Sequence, residues 1–250
     1  MKLTPRNTIC YLAEEHGGDF DEMLRALHSR QMDKEKYESM PEPIGVVTIM
    51  DDEYPENLKR IIKPSLILYT EGRPGLLSDS RRKISVISTD KTNGQELIDI
   101  IGGLGDVILV TGIGNSMLEE LLNTGKDVIV VAGCGADAIK CCHRNSRLYE
   151  RIVTDHLLVT EYPKGIERSS KGTIGMQRIV AGIGDLVLVS ALESHSVSML
   201  AVSHALEVGK DIYVMPVSGA NRLGNNGLIK DGAFLIDNPS DIKTEADDGK

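Results

Sequence analysis

From residue 83 onward, short apolar runs alternate with longer segments whose apolar residues recur every three or four positions. The runs at 84–87, 107–110, 128–131, 157–160, 186–189 and 212–215 are rich in Val, Ile and Leu. Such continuous runs, bounded by turn residues, predict strands buried on both faces. Helical spacing falls near 94–103, 115–124, 145–154, 175–183 and 197–208. Regular strand–helix alternation implies right-handed crossovers and a parallel sheet, so the class is α/β.

The ends of the chain carry a different pattern. Ile9, Leu12 and Ala13, then Phe20, Met23, Leu24 and Leu27 beyond Gly17-Gly18, predict two short helices, with a third before Pro41 and Pro43. Val46-Val47-Thr48-Ile49 and Leu66-Ile67-Leu68-Tyr69 predict strands, separated by a short helix that starts at Asp52-Glu53-Tyr54-Pro55 and ends at Pro64. Phe234-Leu235-Ile236 adds a last strand. The expected division is a helical segment over 1–43, the main domain over 44–236, and a frayed polar tail over 237–250.

Composition narrows this picture. With two Phe and no Trp, aliphatic residues must fill the interior, as a doubly covered parallel sheet requires. The formal charge of −9 argues against a globally basic nucleic-acid coat and leaves room for a local basic pocket. No apolar run is long enough to span a bilayer, and Cys141 and Cys142 are adjacent, so a reduced cytoplasmic protein without membrane contact is expected. Cys141-Cys142-His143 lacks the second ligand pair of a zinc site, so no metal is expected.

Candidate chemistry gathers where strands end, the usual place for ligands in an open α/β sheet. The strand to Pro216 is followed by Gly224-Asn225-Asn226-Gly227, a loop without bulky side chains and a candidate cradle for phosphate. Thr111-Gly112-Ile113-Gly114-Asn115 resembles half a dinucleotide fingerprint and also fits a tight strand-to-helix turn. Gly133-Cys134-Gly135-Ala136-Asp137 fits close approach of either a ligand or a neighbouring element. In Glu161-Tyr162-Pro163-Lys164 no partner carboxylate accompanies the acid, and a Glu held by backbone amides is expected. Arg168, Lys171 and Arg178 form a basic cluster that either faces solvent or meets phosphates. Ser194-His195-Ser196-Val197-Ser198 either caps the next helix or binds an anion. No nucleophile–base pair is present in sequence, so no enzyme and no cofactor are expected.

Taken in order, these stretches resemble the DprA/Smf family of DNA-processing proteins over about residues 46–236. The likeness rests on Tyr54-Pro55-Glu56-Asn57-Leu58, Leu68-Tyr69-Thr70-Glu71-Gly72, Gly133 to Asp137, Asn145-Ser146-Arg147-Leu148-Tyr149, Thr160 to Gly165, Arg178-Ile179-Val180-Ala181-Gly182, and the stretch from Ala205 to Ala233. The resemblance implies an extended Rossmann-like, mostly parallel doubly wound sheet. It also implies a dimeric mediator that binds single-stranded DNA and hands it to a RecA-type recombinase in natural transformation, without hydrolysis. Carried onto this chain, the DNA-binding set is Thr111, Gly112, Lys140, Asn145, Lys164, Gln177, Arg178, Ser196, Ser198 and Asn226, with Arg178 on a phosphate.

The departures from the family pattern cluster at the ligand side. Ser88-Thr89-Asp90 stands where the family has Gly-Ser-Arg, placing a carboxylate where an arginine would meet phosphate. The glycine turn is shortened to Thr111-Gly112-Ile113-Gly114, and Met176-Gln177-Arg178 keeps only the second of two paired arginines. The family's winged-helix domain is absent from this sequence. Two other readings therefore stand beside DNA binding. One is an eroded member that acts through protein contacts. The other is a nucleotide binder related to LOG-type phosphoribohydrolases, although their Pro-Gly-Gly-x-Gly-Thr-x-x-Glu motif is missing.

Overall fold

The aliphatic runs pair into one sheet. The computed structural model describes residues 4–29, 32–41, 44–141, 146–218 and 224–242. Its strands are β1 (Val46–Thr48), β2 (Ile67–Gly72), β3 (Lys83–Ile87), β4 (Ile108–Gly112), β5 (Asp127–Ala132), β6 (Leu157–Thr160), β7 (Leu186–Val189), β8 (Ile212–Val214) and β9 (Phe234–Leu235). Their order is β1-β2-β6-β5-β4-β3-β7-β8-β9. From β6 to β9 all neighbours are parallel, whereas β1–β2 and β2–β6 are antiparallel. The chain starts the parallel part at β3, builds outward to β6, then returns to place β7 on the other side of β3. The expected doubly wound, Rossmann-like sheet is thus the observed one.

Period-two alternation sends each strand to both faces. In β5, Val128, Val130 and Ala132 join one core and Ile129 and Val131 the other. The first core is closed by α5 (Gly94–Gly103), α6 (Leu118–Leu122), α7 (Ala136–Lys140) and α8 (Ser146–Asp155). The second is closed by α4 (Glu56–Lys59) and α9 (Ser170–Ile183), and α10 (Met199–Glu207) covers β7 and β8. The N-terminal helices α1 (Pro5–Glu15), α2 (Phe20–Ser29) and α3 (Lys34–Ser39) pack on β1 and β2 through Leu12, Met23, Tyr37 and Ile67.

Helix α9 positions the site. Its first turn is capped by Ser169, whose Oγ accepts from the Gly172 amide at 3.0 Å. Its last carbonyls accept from the Lys210 ammonium: Ala181 at 2.6 Å, Gly182 at 2.8 Å and Gly184 at 2.5 Å. Between these ends the helix lies directly on the end of β5. A Cβ at Gly172 would run into the carbonyl of Gly133, and one at Gly133 into the carbonyl of Gly172. Gly133 therefore makes room for a helix, and Gly135 for the Pro163 carbonyl.

Two expectations are corrected. The glycine/asparagine loop after β8 is largely helix, α11 (Asn225–Lys230). Asn225 explains it: its fully buried side chain donates to the carbonyls of Ser190 and Met215 and accepts from the Leu192 amide, tying the helix start to the ends of β7 and β8. The polar tail does not fray at 237. Asn238 and Asp241 form a reciprocal cap around a tight turn, and Ile242 enters the main core. Residues 243–250 lie outside the described residues.

Candidate nucleic-acid interface

At the switch point itself the sheet is sewn shut. The Thr89 amide donates to the Ala191 carbonyl at 2.7 Å, and the Glu193 amide donates to Thr89 Oγ1 at 2.8 Å. The opening lies one strand over, at the carboxyl ends of β3 and β4. There a pocket of ≈ 110 Å³ is floored by Val86, Ile87, Ser88, Gly112, Gly114 and Asn115. Thr173, Met176, Gln177 and Val180 of α9 wall one side, and Ser198, at the start of α10, closes another.

Three of the sequence-predicted residues meet here: Gly112, Gln177 and Ser198. Gly112 admits the Met176 thioether, since a Cβ would sit 2.9 Å from Met176 Cε. Thr111 lies just beneath, fully buried; its hydroxyl donates to the Val86 carbonyl at 3.0 Å and accepts from the Asn115 amide at 2.7 Å. It shapes the turn and presents no group to a ligand. The Asp90 carboxylate turns into its own loop, accepting from the Thr92 amide at 2.8 Å and from Thr92 Oγ1 at 2.5 Å.

The remaining predicted residues do not join the pocket. Arg178, expected on a phosphate, points the other way: its Nη2 donates to Glu161 Oε2 at 2.5 Å, with 11% and 5% of the two side chains exposed. Burial pushes the Glu161 carboxyl up, while Arg178 and hydrogen bonds from Ser65 and Tyr162 oppose it. Glu161 is therefore held by side chains, where backbone amides were expected. The other guanidinium nitrogen, Nη1, is buried without a partner among the described residues.

Asn226 is committed to a reciprocal pair with Val217, donating to its carbonyl at 2.8 Å and accepting from its amide at 3.2 Å. Ser196 accepts from the Ser198 amide at 3.1 Å and sets the turn into α10. Lys164 lines a second pocket, ≈ 290 Å³, beside β2 and β6, and pairs with Glu71 at 3.5 Å. Lys140 lies 5.8 Å over the Tyr149 ring, whose hydroxyl donates to the same Glu71. Asn145 lies outside the described residues.

Sequence reasoning missed Met176, Asn115 and Thr173 as pocket walls. The signal for the first and last was available. Thr173 shares a helix face with Met176 and Gln177, at spacings of three and four, once the helix is extended back to Ser170.

A doubly wound α/β sheet with a small pocket at its strand carboxyl ends defines a protein of the Rossmann-like class. The chain belongs to the DNA recombination-mediator protein A family, whose sequence model matches residues 45–247. It is 29% identical over 209 residues to the DNA processing protein DprA of Streptococcus pneumoniae (strain ATCC BAA-255 / R6), covering 79% of this chain and 73% of that protein. It is 28% identical over 214 residues to the DNA processing protein DprA of Bacillus subtilis (strain 168), covering 81% and 71%. Among solved structures, the Streptococcus pneumoniae DprA superposes with a TM-score of 0.81 at 24% identity, over 97% of this chain and 98% of that one. The DNA processing protein A of Helicobacter pylori, which binds single-stranded DNA, superposes at 0.67 and 22% identity, over 80% and 95%. The chain is thus a DNA-processing recombination mediator by family, and its fold is the family's. No described helix is long and apolar enough to cross a membrane.

Proposed function

We propose that this chain binds single-stranded DNA across the pocket between β3, β4 and α9, and acts without breaking or forming covalent bonds. The observation that carries this reading is the pocket's place: the carboxyl ends of adjacent parallel strands, walled by the helix that bears the family-like Arg178 to Gly182 stretch. The single-strand binding of the Helicobacter pylori relative supports it. On the same reading the chain is a cytoplasmic homodimer that passes the strand to a RecA-type recombinase. The edge strand β9, with Phe234 39% and Leu235 47% exposed, supports self-association, which sedimentation equilibrium reads directly. Faster recombinase filament nucleation in the presence of this protein is the readout for strand transfer.

The charge pattern sets the binding mode. Lys91 pairs with Glu120 at 2.6 Å, Lys171 with Asp19, Lys164 with Glu71 and Arg178 with Glu161. Each of these four cations would have to give up a carboxylate to meet a phosphate. Each neutralised phosphate on a single strand contributes about −0.7 to the slope of log K against log salt, so two contacts give about −1.4. Anisotropy titration of a labelled oligo(dT) should show saturable binding with a slope no steeper than about −2. Absence of saturable binding by folded protein at about 50 mM salt overturns the proposal.

A further inference from the structure

We infer that the second pocket, beside β2 and β6, holds another nucleotide of the same single strand, its base stacked on Tyr162 and Tyr69 and its phosphate met by Lys140 and Lys164. The inference rests on the single-stranded DNA reading above and adds a contact outside the pocket between β3, β4 and α9.

The placement of tyrosine carries it. The chain has seven Tyr and no Trp. Tyr11, Tyr37, Tyr54 and Tyr213 are buried in the cores. The other three, Tyr69, Tyr149 and Tyr162, are half-buried, and all three converge on this pocket. Tyr69 and Tyr162 line it beside Leu158, and Tyr149 joins its rim through Glu71, to which its hydroxyl donates. Two of the stretches on which the family resemblance rests, 68–72 and 160–165, meet here. The strand order sets this place two strands further along the carboxyl edge of the sheet from the first pocket, since Ala136 follows β5 and Thr160 ends β6.

The lysines that do not join the first pocket gather here as well. Lys164 is 76% exposed and stands 3.5 Å from Glu71; Lys140, also exposed, lies 5.8 Å over the Tyr149 ring. Both contacts are longer than the 2.6 Å bond between Lys91 and Glu120, and an exposed pair at such a distance is weak and screened by salt. Either ammonium can turn to a phosphate without stripping Glu71, because the Tyr149 hydroxyl remains on that carboxylate.

A flat ring with an anion at one end is the ligand these groups match. Phenol rings and an aliphatic floor offer a face on which any base stacks, whatever the sequence. Glu71, with 28% of its side chain exposed, sits deeper than Lys164 and repels phosphate from the interior, which leaves the anion to the outer lysines. The cavity, ≈ 290 Å³, lies at the small end of ligand pockets and takes one nucleotide. Two lysine contacts also give the salt slope of about −1.4 proposed for the strand.

Because the chain has no Trp, Tyr162→Trp places a single indole at the pocket. Titrated with a 12-mer of oligo(dT), its emission should be quenched saturably, at the same midpoint as the anisotropy of the labelled strand. Thymidine monophosphate should need about 100-fold more to do the same, since it lacks the linked contacts of the strand. Lys140→Gln combined with Lys164→Gln should melt as the wild type does and flatten the salt slope by about 1.4, at about 0.7 for each phosphate contact. Indole emission that stays level while the labelled strand binds overturns the inference alone. So does a double lysine variant with the wild-type slope, which decides the matter should Tyr162→Trp fail to fold by circular dichroism. Quenching by the monophosphate and the strand at equal concentrations assigns the pocket to a free nucleotide and overturns the strand assignment. Failure of the wild type to bind the labelled strand overturns the DNA-binding reading and this inference together.

Discussion

At the scale of single residues, the decisive contrast lies between Arg178 and its neighbour Gln177. Sequence reasoning weights charge, and a lone arginine in a family-like stretch draws the eye as a phosphate ligand. The structure commits that arginine to Glu161, seventeen residues earlier and across a helix–strand contact. Truncating it would leave Glu161, 5% exposed, without a counter-charge. Breaking a buried pair in this way costs about 3–5 kcal/mol. At roughly 2–4 °C per kcal/mol for a chain of this size, Arg178→Met should melt at least about 6 °C below the wild type. Removing both charges together, as Glu161→Gln with Arg178→Met, should recover part of the loss. An Arg178→Met variant with wild-type melting and selectively weakened DNA binding would restore the phosphate role. Gln177, by contrast, enters the expected DNA-binding set only through the family resemblance, and the structure places it in the pocket wall.

At the scale of elements, the amino ends of the strands are laced together by charge. Arg81, just before β3, donates to Asp79 at 2.8 Å, to Asp106 before β4 at 3.0 Å and to Asp127 at the head of β5 at 2.6 Å. Arg73, following β2, adds a second bond to Asp127. Hydrogen bonds from Arg81 hold the Asp79 carboxyl down to about 2 from its ordinary 3.8. Burial pushes Asp127 up, but Arg81 and Arg73 outweigh it and leave it below the usual range. A carboxyl depressed by folding stabilises the native state fully above its unfolded value and loses that contribution as pH falls through its folded value. Urea midpoints should therefore hold level with respect to this network above about pH 4 and fall between about pH 4 and 2, and Arg81→Met should flatten that step. An Arg81→Met profile that parallels the wild type would show the network to be idle.

The strands were legible because aliphatic runs flanked by glycine and polar turns admit few other readings; β6 and β7 fall at the expected residues. Helix α5 matched as well. Helices α7 and α11 were not legible. Each is short and begins beside glycine, and α11 contains Asn225, Asn226 and Gly227, all poor helix formers. What makes α11 a helix is the seat that Asn225 finds between two strand ends, a tertiary contact that local sequence does not encode.

At the scale of the whole molecule, a net charge of −9 and the pairing of Lys91, Lys164, Lys171 and Arg178 with carboxylates fit a mediator that holds a strand loosely and gives it up. The helices α1 to α3 and the antiparallel strands β1 and β2 extend the sheet on the flank away from that pocket. The most direct test of the central claim is where a bound strand touches the protein. An oligonucleotide carrying 4-thiothymidine, cross-linked by near-ultraviolet light and mapped by mass spectrometry, should mark residues 112–117, 173–180 and 198 around the pocket. Adducts confined to the N-terminal helices over 5–39, or to the edge formed by α10 and β9, would contradict it.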